Sequence, residues 1–218
     1  HASETESEVQ GCIGRYGMTP TALFEQLGLW NYGGGAFHSV WVSNEDLNIY
    51  KKHGVYAVLN AGSNAKLASG IAPVEKMLQM GIPLAVGTDG PSSNNALDMF
   101  REMYLICVLQ KLREKNAAAA DANAILKAAT AGSARCMGLP EADCIAPGKL
   151  ADLTVIGLHR PNMQPINNIT KNLVYSGAKT NVRLTMVDGR ILYENGRFLN
   201  ADTDEIYKNA QAVIDRIR

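Results

Sequence analysis

The sequence predicts an α/β protein: the second half of a (β/α)8 barrel, followed by part of a small β-sandwich and a C-terminal helix. Residues 1–90 alternate helical segments with apolar strand segments on short connectors, the order that makes parallel strands with crossover helices. Each strand segment is a continuous apolar run, as in a sheet covered on both faces. The 218 residues show only three clear strands before the pattern changes, and a strand ending just before His1 would make four. A complete barrel takes about 250 residues, so half of one fits. The expected divisions are 1–145 for the barrel half, 146–200 for the sandwich portion and 201–218 for the terminal helix.

The elements follow in order. Val9 and Ile13, four apart in the polar stretch Thr5–Tyr16, predict a helix ending at Gly17. Thr19-Pro20 opens a second helix through Leu27, with Thr19 as cap and Pro20 in the first turn. Gly33-Gly34-Gly35 breaks the chain before a strand over Ala36–Val42. Ser43 and Asp46 have capping-box spacing for a helix over Glu45–His53. Strands are expected at Val55–Asn60 and Ile82–Val86, with a helix at Pro73–Met80 closed by Gly81. Residues 96–137 read as mostly helix: Ala96–Lys115, a connector at Ala117–Ala120, a helix capped by Asp121 through Ala131, and Ser133–Met137. The texture then becomes antiparallel, with a strand at Leu150–Ile156 and a hairpin of Val182–Val187 and Arg190–Glu194 around Asp188-Gly189. Asp204–Arg218 closes as a helix.

Composition excludes several classes. Twenty-one basic residues balance twenty-one acidic ones, which argues against a broad nucleic-acid or anionic-membrane surface. No apolar run approaches the ~20 residues of a membrane span. Cys12, Cys107, Cys136 and Cys144 form no CxxC pair and read as reduced, buried thiols of a cytoplasmic protein. The chain begins at His1 without a signal-peptide pattern and reads as part of a longer protein.

Chemistry-bearing residues gather at the predicted strand ends. His1-Ala2-Ser3-Glu4 sets an imidazole and a carboxylate three apart, a pairing suited to a metal and to proton transfer beside it. His38 sits on the strand segment that begins at Ala36, and Asp89 follows another between Gly87 and Gly90. Ser63-Asn64 and Ser92-Ser93-Asn94-Asn95 place short polar side chains that suit substrate contacts or turns. His53 and His159 follow no strand and read as surface or structural. Gly33-Gly34-Gly35 precedes a strand rather than a helix, so it lacks the context of a phosphate cradle. No PCxxC supports a cytidine-deaminase-type zinc site. The stripe with Met99, Met103 and Leu109 reads as core. In a barrel, strand ends face one mouth, so His1, His38 and Asp89 together suggest a metal-assisted hydrolase.

Five stretches carry a resemblance: HASETESEV (1–9), FHSVWV (37–42), SNAKLASGIAPVEKMLQMGIPLAVGTDGPSSNNALDMFREM (63–103), AATAGSARCMGL (128–139) and PGKLADLTVI (147–156). They resemble the C-terminal half of amidohydrolase-superfamily enzymes, metal-dependent (β/α)8 barrels, and within them the 5-methylthioadenosine/S-adenosylhomocysteine deaminase and chlorohydrolase group. The resemblance implies a hydrolytic deaminase of 5-methylthioadenosine, S-adenosylhomocysteine or an adenosine-like nucleoside. Metal-activated hydroxide attacks the ring carbon and ammonia leaves. It implies one divalent metal, Zn²⁺ first, with Fe²⁺, Ni²⁺ or Mn²⁺ as alternatives. By the same resemblance His1 and Asp89 are metal ligands, and Glu4, His38 and Asp89 are catalytic. Glu4 moves protons to the ring, His38 orients or polarises the attacking hydroxide, and Asp89 accepts a proton. Glu4, Ser63, Asn64 and Ser93 are the expected substrate contacts. Expected partners are a small purine-like substrate, the missing N-terminal half of the barrel and further copies of the chain, with no nucleic acid and no membrane. A guanine-like, imidazolone or chlorotriazine-like substrate, or a non-catalytic scaffold, are the alternatives. The sequence lacks the superfamily's first metal motif, an HxH. Asn60-Ala61-Gly62-Ser63-Asn64 lacks the proline that relatives usually carry before the Ser-Asn pair.

Overall fold

A computed structural model describes residues 1–217. Helix α1 (Glu6–Tyr16) starts at Thr5, whose Oγ1 accepts the Glu8 N–H at 3.2 Å, and ends at Gly17 in the left-handed region. Helix α2 (Pro20–Gln26) is capped by Thr19, which also donates to the buried Asp46 at 2.5 Å. Asp46 in turn completes the capping box of α3 (Asn44–His53) by accepting the Ser43 N–H at 2.9 Å. One carboxylate therefore fixes the starts of two helices.

Strands β1 (Gly35–Phe37), β2 (Tyr56–Leu59) and β3 (Leu84–Val86) form a parallel sheet in that order. Ala2 adds a parallel bridge to His38 on the β1 side, extending the array by one position towards the chain start. The expected strand over Ala36–Val42 stops at Phe37. His38 and Ser39 adopt φ of 72° and 48°, which no strand allows, and the backbone turns to hydrogen-bond Ala2 and Ser3 instead.

The helices α4 (Ala61–Lys66), α5 (Val74–Met80), α6 (Pro91–Asn94) and α7 (Met99–Glu114) follow the strands. Both α4 and α6 lie where the sequence suggested substrate-contact or turn residues and no helix. The helix expected from Ala96 begins at Met99, because the Asp98 carboxylate accepts the N–H groups of Phe100 and Arg101. After the connector at Ala117–Ala120, α8 (Ala122–Lys127) runs through a π-helical turn (Ala128–Gly132) into α9 (Ser133–Cys136). This run closes on β3: the Val86 N–H donates to Ser133 Oγ at 3.1 Å. Gly132 is required there, since a Cβ would lie 2.3 Å from the Leu84 carbonyl. Leu47, Tyr50, Leu59, Met77, Ile106 and Ile125 form the core between sheet and helices. Truncating such a side chain to alanine costs about 2–5 kcal/mol.

The second sheet is an antiparallel meander of β4 (Leu153–Ile156), β5 (Val182–Val187), β6 (Arg190–Glu194) and β7 (Arg197–Phe198). Its first strand is three residues shorter than the expected Leu150–Ile156. Helix α10 (Ile169–Ser176), absent from the sequence reading, packs Val174 into the core beside α7 and α8. Helix α11 (Thr203–Ile217) closes the described chain, and the expected helix end at Arg218 lies outside the described residues. The thiols depart from expectation: Cys107 is buried, Cys12 and Cys136 are half-buried, and Cys144 is exposed. His159 is exposed as expected. Among the described residues no helix is long and apolar enough to cross a membrane.

Candidate metal centre

The parallel strands deliver their chemistry at their C-terminal ends. His38 follows β1, Asn60 follows β2, and Asp89 lies three residues beyond β3. His1 precedes the Ala2 bridge to His38. One ligand atom each from His1, His38 and Asp89 lie within 4.8 Å of one another. The two imidazoles meet edge to face with centroids 4.6 Å apart. His38 and Asp89 of this cluster, and Ser3 beside it, hold positive φ of 72°, 60° and 55°. Such conformations cost on the order of 1–3 kcal/mol each and persist where the surroundings over-determine them.

The surroundings do so through a dense set of hydrogen bonds. His38 is 1 % exposed and its Nδ1 lies 2.8 Å from Asn64 Oδ1. That contact fixes the ring's orientation and leaves Nε2 facing the open side of the cluster, 3.6 Å from Glu4 Oε2. Asn60 spans all three strand ends: its Oδ1 accepts the His38 N–H at 3.2 Å and its Nδ2 donates to the Gly87 carbonyl at 3.1 Å. Asp89 Oδ2 accepts the hydroxyls of Ser63 at 2.6 Å and Ser93 at 2.7 Å, and its Oδ1 accepts the Gly90 N–H at 2.8 Å. The Ser63 bond foremost, then Ser93, Gly90 and the nearby His38, hold the Asp89 carboxyl below the usual carboxylate range against the opposing effect of burial.

Glu4 lies 4.0 Å from His1 Nδ1 through its Oε2, and its Oε1 accepts the Ser69 hydroxyl at 3.1 Å. The loop carrying it is pinned by Glu8, whose carboxylate accepts the N–H groups of Ser3 at 2.9 Å and Glu4 at 2.7 Å. All seven sequence-predicted site residues thus come together. Ser63, Asn64 and Ser93, expected as substrate contacts, spend polar atoms on Asp89 and His38. The sequence reading missed Asn60, Glu8 and Ser69. Thr5-x-x-Glu8 has capping-box spacing, which was a readable signal for Glu8. Nothing local marks Asn60 or Ser69. His53 stands apart, bonded to Glu25 at 3.1 Å.

The donor set fits a divalent metal. Tetrahedral zinc with ligands at about 2.0–2.2 Å needs donors roughly 3.5 Å apart, within reach of small side-chain rotations here. His38 and Asp89 also carry the outer hydrogen bonds that hold metal-site side chains in place.

A parallel sheet with two imidazoles and a carboxylate at one end matches the half-barrel expected from the sequence. The chain belongs to the amidohydrolase family, whose model matches residues 1–192. It is 40 % identical over 215 residues to a 5-methylthioadenosine/S-adenosylhomocysteine deaminase of Pyrococcus furiosus, covering 99 % of this chain and 51 % of that protein. It superposes on an adenosine deaminase of Xanthomonas campestris with bound zinc at TM-score 0.96 and 34 % identity, covering 100 % of this chain and 50 % of that one. A zinc and atraton complex of an atrazine chlorohydrolase mutant from Arthrobacter aurescens matches at TM-score 0.90 and 25 % identity, over 96 % of this chain and 47 % of that one. The chain spans about half the length of the curated relatives it matches. Its architecture is the second half of an amidohydrolase barrel with a following sheet and terminal helix.

Proposed function

We propose that the protein carrying this chain is a metal-dependent hydrolytic deaminase of purine nucleosides of the 5-methylthioadenosine, S-adenosylhomocysteine or adenosine type. The observation that carries this reading is the convergence of His1, His38 and Asp89 within 4.8 Å, with the Glu4 carboxylate beside both imidazoles. The names of the relatives support the substrate class.

His1 and Asp89 would hold the metal, Zn²⁺ by the neighbour's bound ion. When bound there, a divalent metal is a Lewis acid that makes water a usable nucleophile at neutral pH. Ser63, Ser93 and the Gly90 N–H keep Asp89 ionised, ready to take a proton from the attacking water. Asn64 fixes the His38 ring so that Nε2 presents a lone pair to that water. Glu4 carries a proton to the ring nitrogen next to the attacked carbon, and a second proton transfer releases the amino group as ammonia. Water and the amino-purine thereby give the oxo-purine and ammonia. Residues 1–145 would form the catalytic half-barrel and 146–200 the small sheet domain.

The test is turnover by the zinc-loaded full-length protein of a panel of purine nucleosides, guanine, an imidazolone and a chlorotriazine, read as ammonia from the nucleosides and guanine, as ring opening by absorbance from the imidazolone and as chloride from the chlorotriazine. Turnover of a nucleoside, lost in Asp89→Ala, supports the reading. Turnover confined to the chlorotriazine, whose hydrolase shares the fold, would transfer the assignment to that substrate. No ammonia from any nucleoside would sink it.

A further inference from the structure

Glu102 is fully buried at the start of α7, and no step above uses it. Its Oε2 accepts the Gly62 N–H at 2.9 Å and its Oε1 accepts Asn94 Nδ2 at 2.7 Å. Asn94 Nδ2 also donates to the Thr88 carbonyl at 2.6 Å. Each partner sits one residue from the site. Gly62 is followed by Ser63 and Asn64, Thr88 is followed by Asp89, and Asn94 is preceded by Ser93. We propose that Glu102 is a positioning residue: its carboxylate clamps α4 to the turn after β3, and so sets the Asp89 and His38 geometry on which metal affinity and turnover depend. This rests on the reading that the site holds a metal.

Two further features show that the clamp is built for a carboxylate. A Cβ at Gly62 would lie 2.3 Å from Glu102 Oε1, so the α4 backbone has to approach without a side chain. Asn94 Oδ1 is buried with no hydrogen-bond partner. Flipping the amide would satisfy nothing, because Oδ1 would then face the Thr88 carbonyl and the carboxylate. The amide's orientation is therefore imposed by the clamp, at the cost of one orphaned acceptor. Burial pushes the Glu102 carboxyl above its ordinary value, with the two donors opposing. A glutamine here would turn its own NH₂ towards one of two N–H donors. Glu102 acts through other residues and touches none of the reacting atoms.

The test uses the full-length protein, stripped of metal and titrated with Zn²⁺ against a chromogenic chelator, with Tm and ammonia release measured alongside. Glu102→Gln is expected to weaken zinc binding and lower kcat by about 10-fold or more each, with KM moving less than about threefold. Gly62→Ala, which breaks the clamp from the other side, is expected to reproduce this. The double variant should be no worse than the larger single one, as for residues sharing one interaction. Gln110→Leu is the structural control, because Gln110 is buried on the same helix but ties it to the Ala72 carbonyl and the Glu75 N–H. It should lower Tm and leave zinc affinity and kcat within about twofold. Zinc affinity unchanged in Glu102→Gln and Gly62→Ala, whatever happens to Tm, would overturn the proposal. If Glu102→Gln does not fold, Gly62→Ala decides. A parent protein that binds zinc but deaminates no nucleoside would defeat the substrate reading while the zinc comparison still decides the clamp. A parent that binds no zinc would overturn both.

Discussion

Replacing Asn64 by leucine removes the acceptor that fixes the His38 ring while roughly keeping side-chain volume. His38 is 1 % exposed and its Nδ1 is bonded at 2.8 Å, so no bulk water replaces the lost partner. An orphaned buried donor costs about 1–3 kcal/mol. At 1.36 kcal/mol per tenfold, that is roughly a 5- to 150-fold loss if the cost falls on the catalytically competent ring state. If the ring escapes the cost by carrying its proton on Nε2, that nitrogen no longer accepts from the attacking water, and turnover suffers either way. The assay is kcat for ammonia release with zinc saturating, together with ¹⁵N shifts of the imidazole to read the tautomer. Asn64→Asp keeps an acceptor in place and should recover most of the loss. Zinc affinity should change little, because His38 is assigned to orienting the nucleophile and not to holding the metal. A kcat within twofold of the parent, with the tautomer unchanged, would refute the reasoning.

Glu4→Gln should keep zinc bound and lose about 10²–10⁴-fold in kcat, measured by metal content and ammonia release on one preparation, because it removes proton transfer but no ligand. His53→Ala should leave kcat and KM within about twofold, since it breaks only a bond to Glu25 remote from the cluster. If His53→Ala abolishes activity, the site is misplaced. Asp143 is bonded to Arg135 at 2.6 Å and lies 3.2 Å from Lys149, which hold its carboxyl down at about 2 from its ordinary 3.8. A depressed folded-state value adds stability above the unfolded value and loses it as pH falls through the folded one. The Tm gap between parent and Asp143→Asn should therefore be full at about pH 6 and close between about pH 4 and pH 2. A gap that widens on acidification would contradict this pair's role.

The sequence made legible what local chemistry determines. Ser43 and Asp46 announce α3, Thr19-Pro20 announces α2, and Asp188-Gly189 places the β5–β6 turn. Strand-end positions also located His1, His38 and Asp89, because glycine flanks and apolar runs mark where a parallel sheet presents side chains. What stayed hidden is held by distant partners. Helix α4 contains Gly62, Ser63 and Asn64, which read as a loop, and tertiary bonds to Glu102, Asp89 and His38 hold it as a helix. The early end of β1 comes from positive φ at His38 and Ser39, which those residue types do not advertise. Helix α10 was readable in principle, since Asn168 caps it by accepting the Lys171 N–H at 2.9 Å. The second role of Ser63 and Ser93, hydroxyls spent on Asp89, has no sequence signal at all.

The most direct test of the central claim is the metal content of the purified full-length protein, measured by elemental analysis beside Asp89→Ala. The account predicts about one divalent ion, zinc foremost, per parent chain and a large loss in the variant. A parent that takes up no metal, or a variant that retains it fully, would contradict a hydrolytic metal centre held by His1 and Asp89.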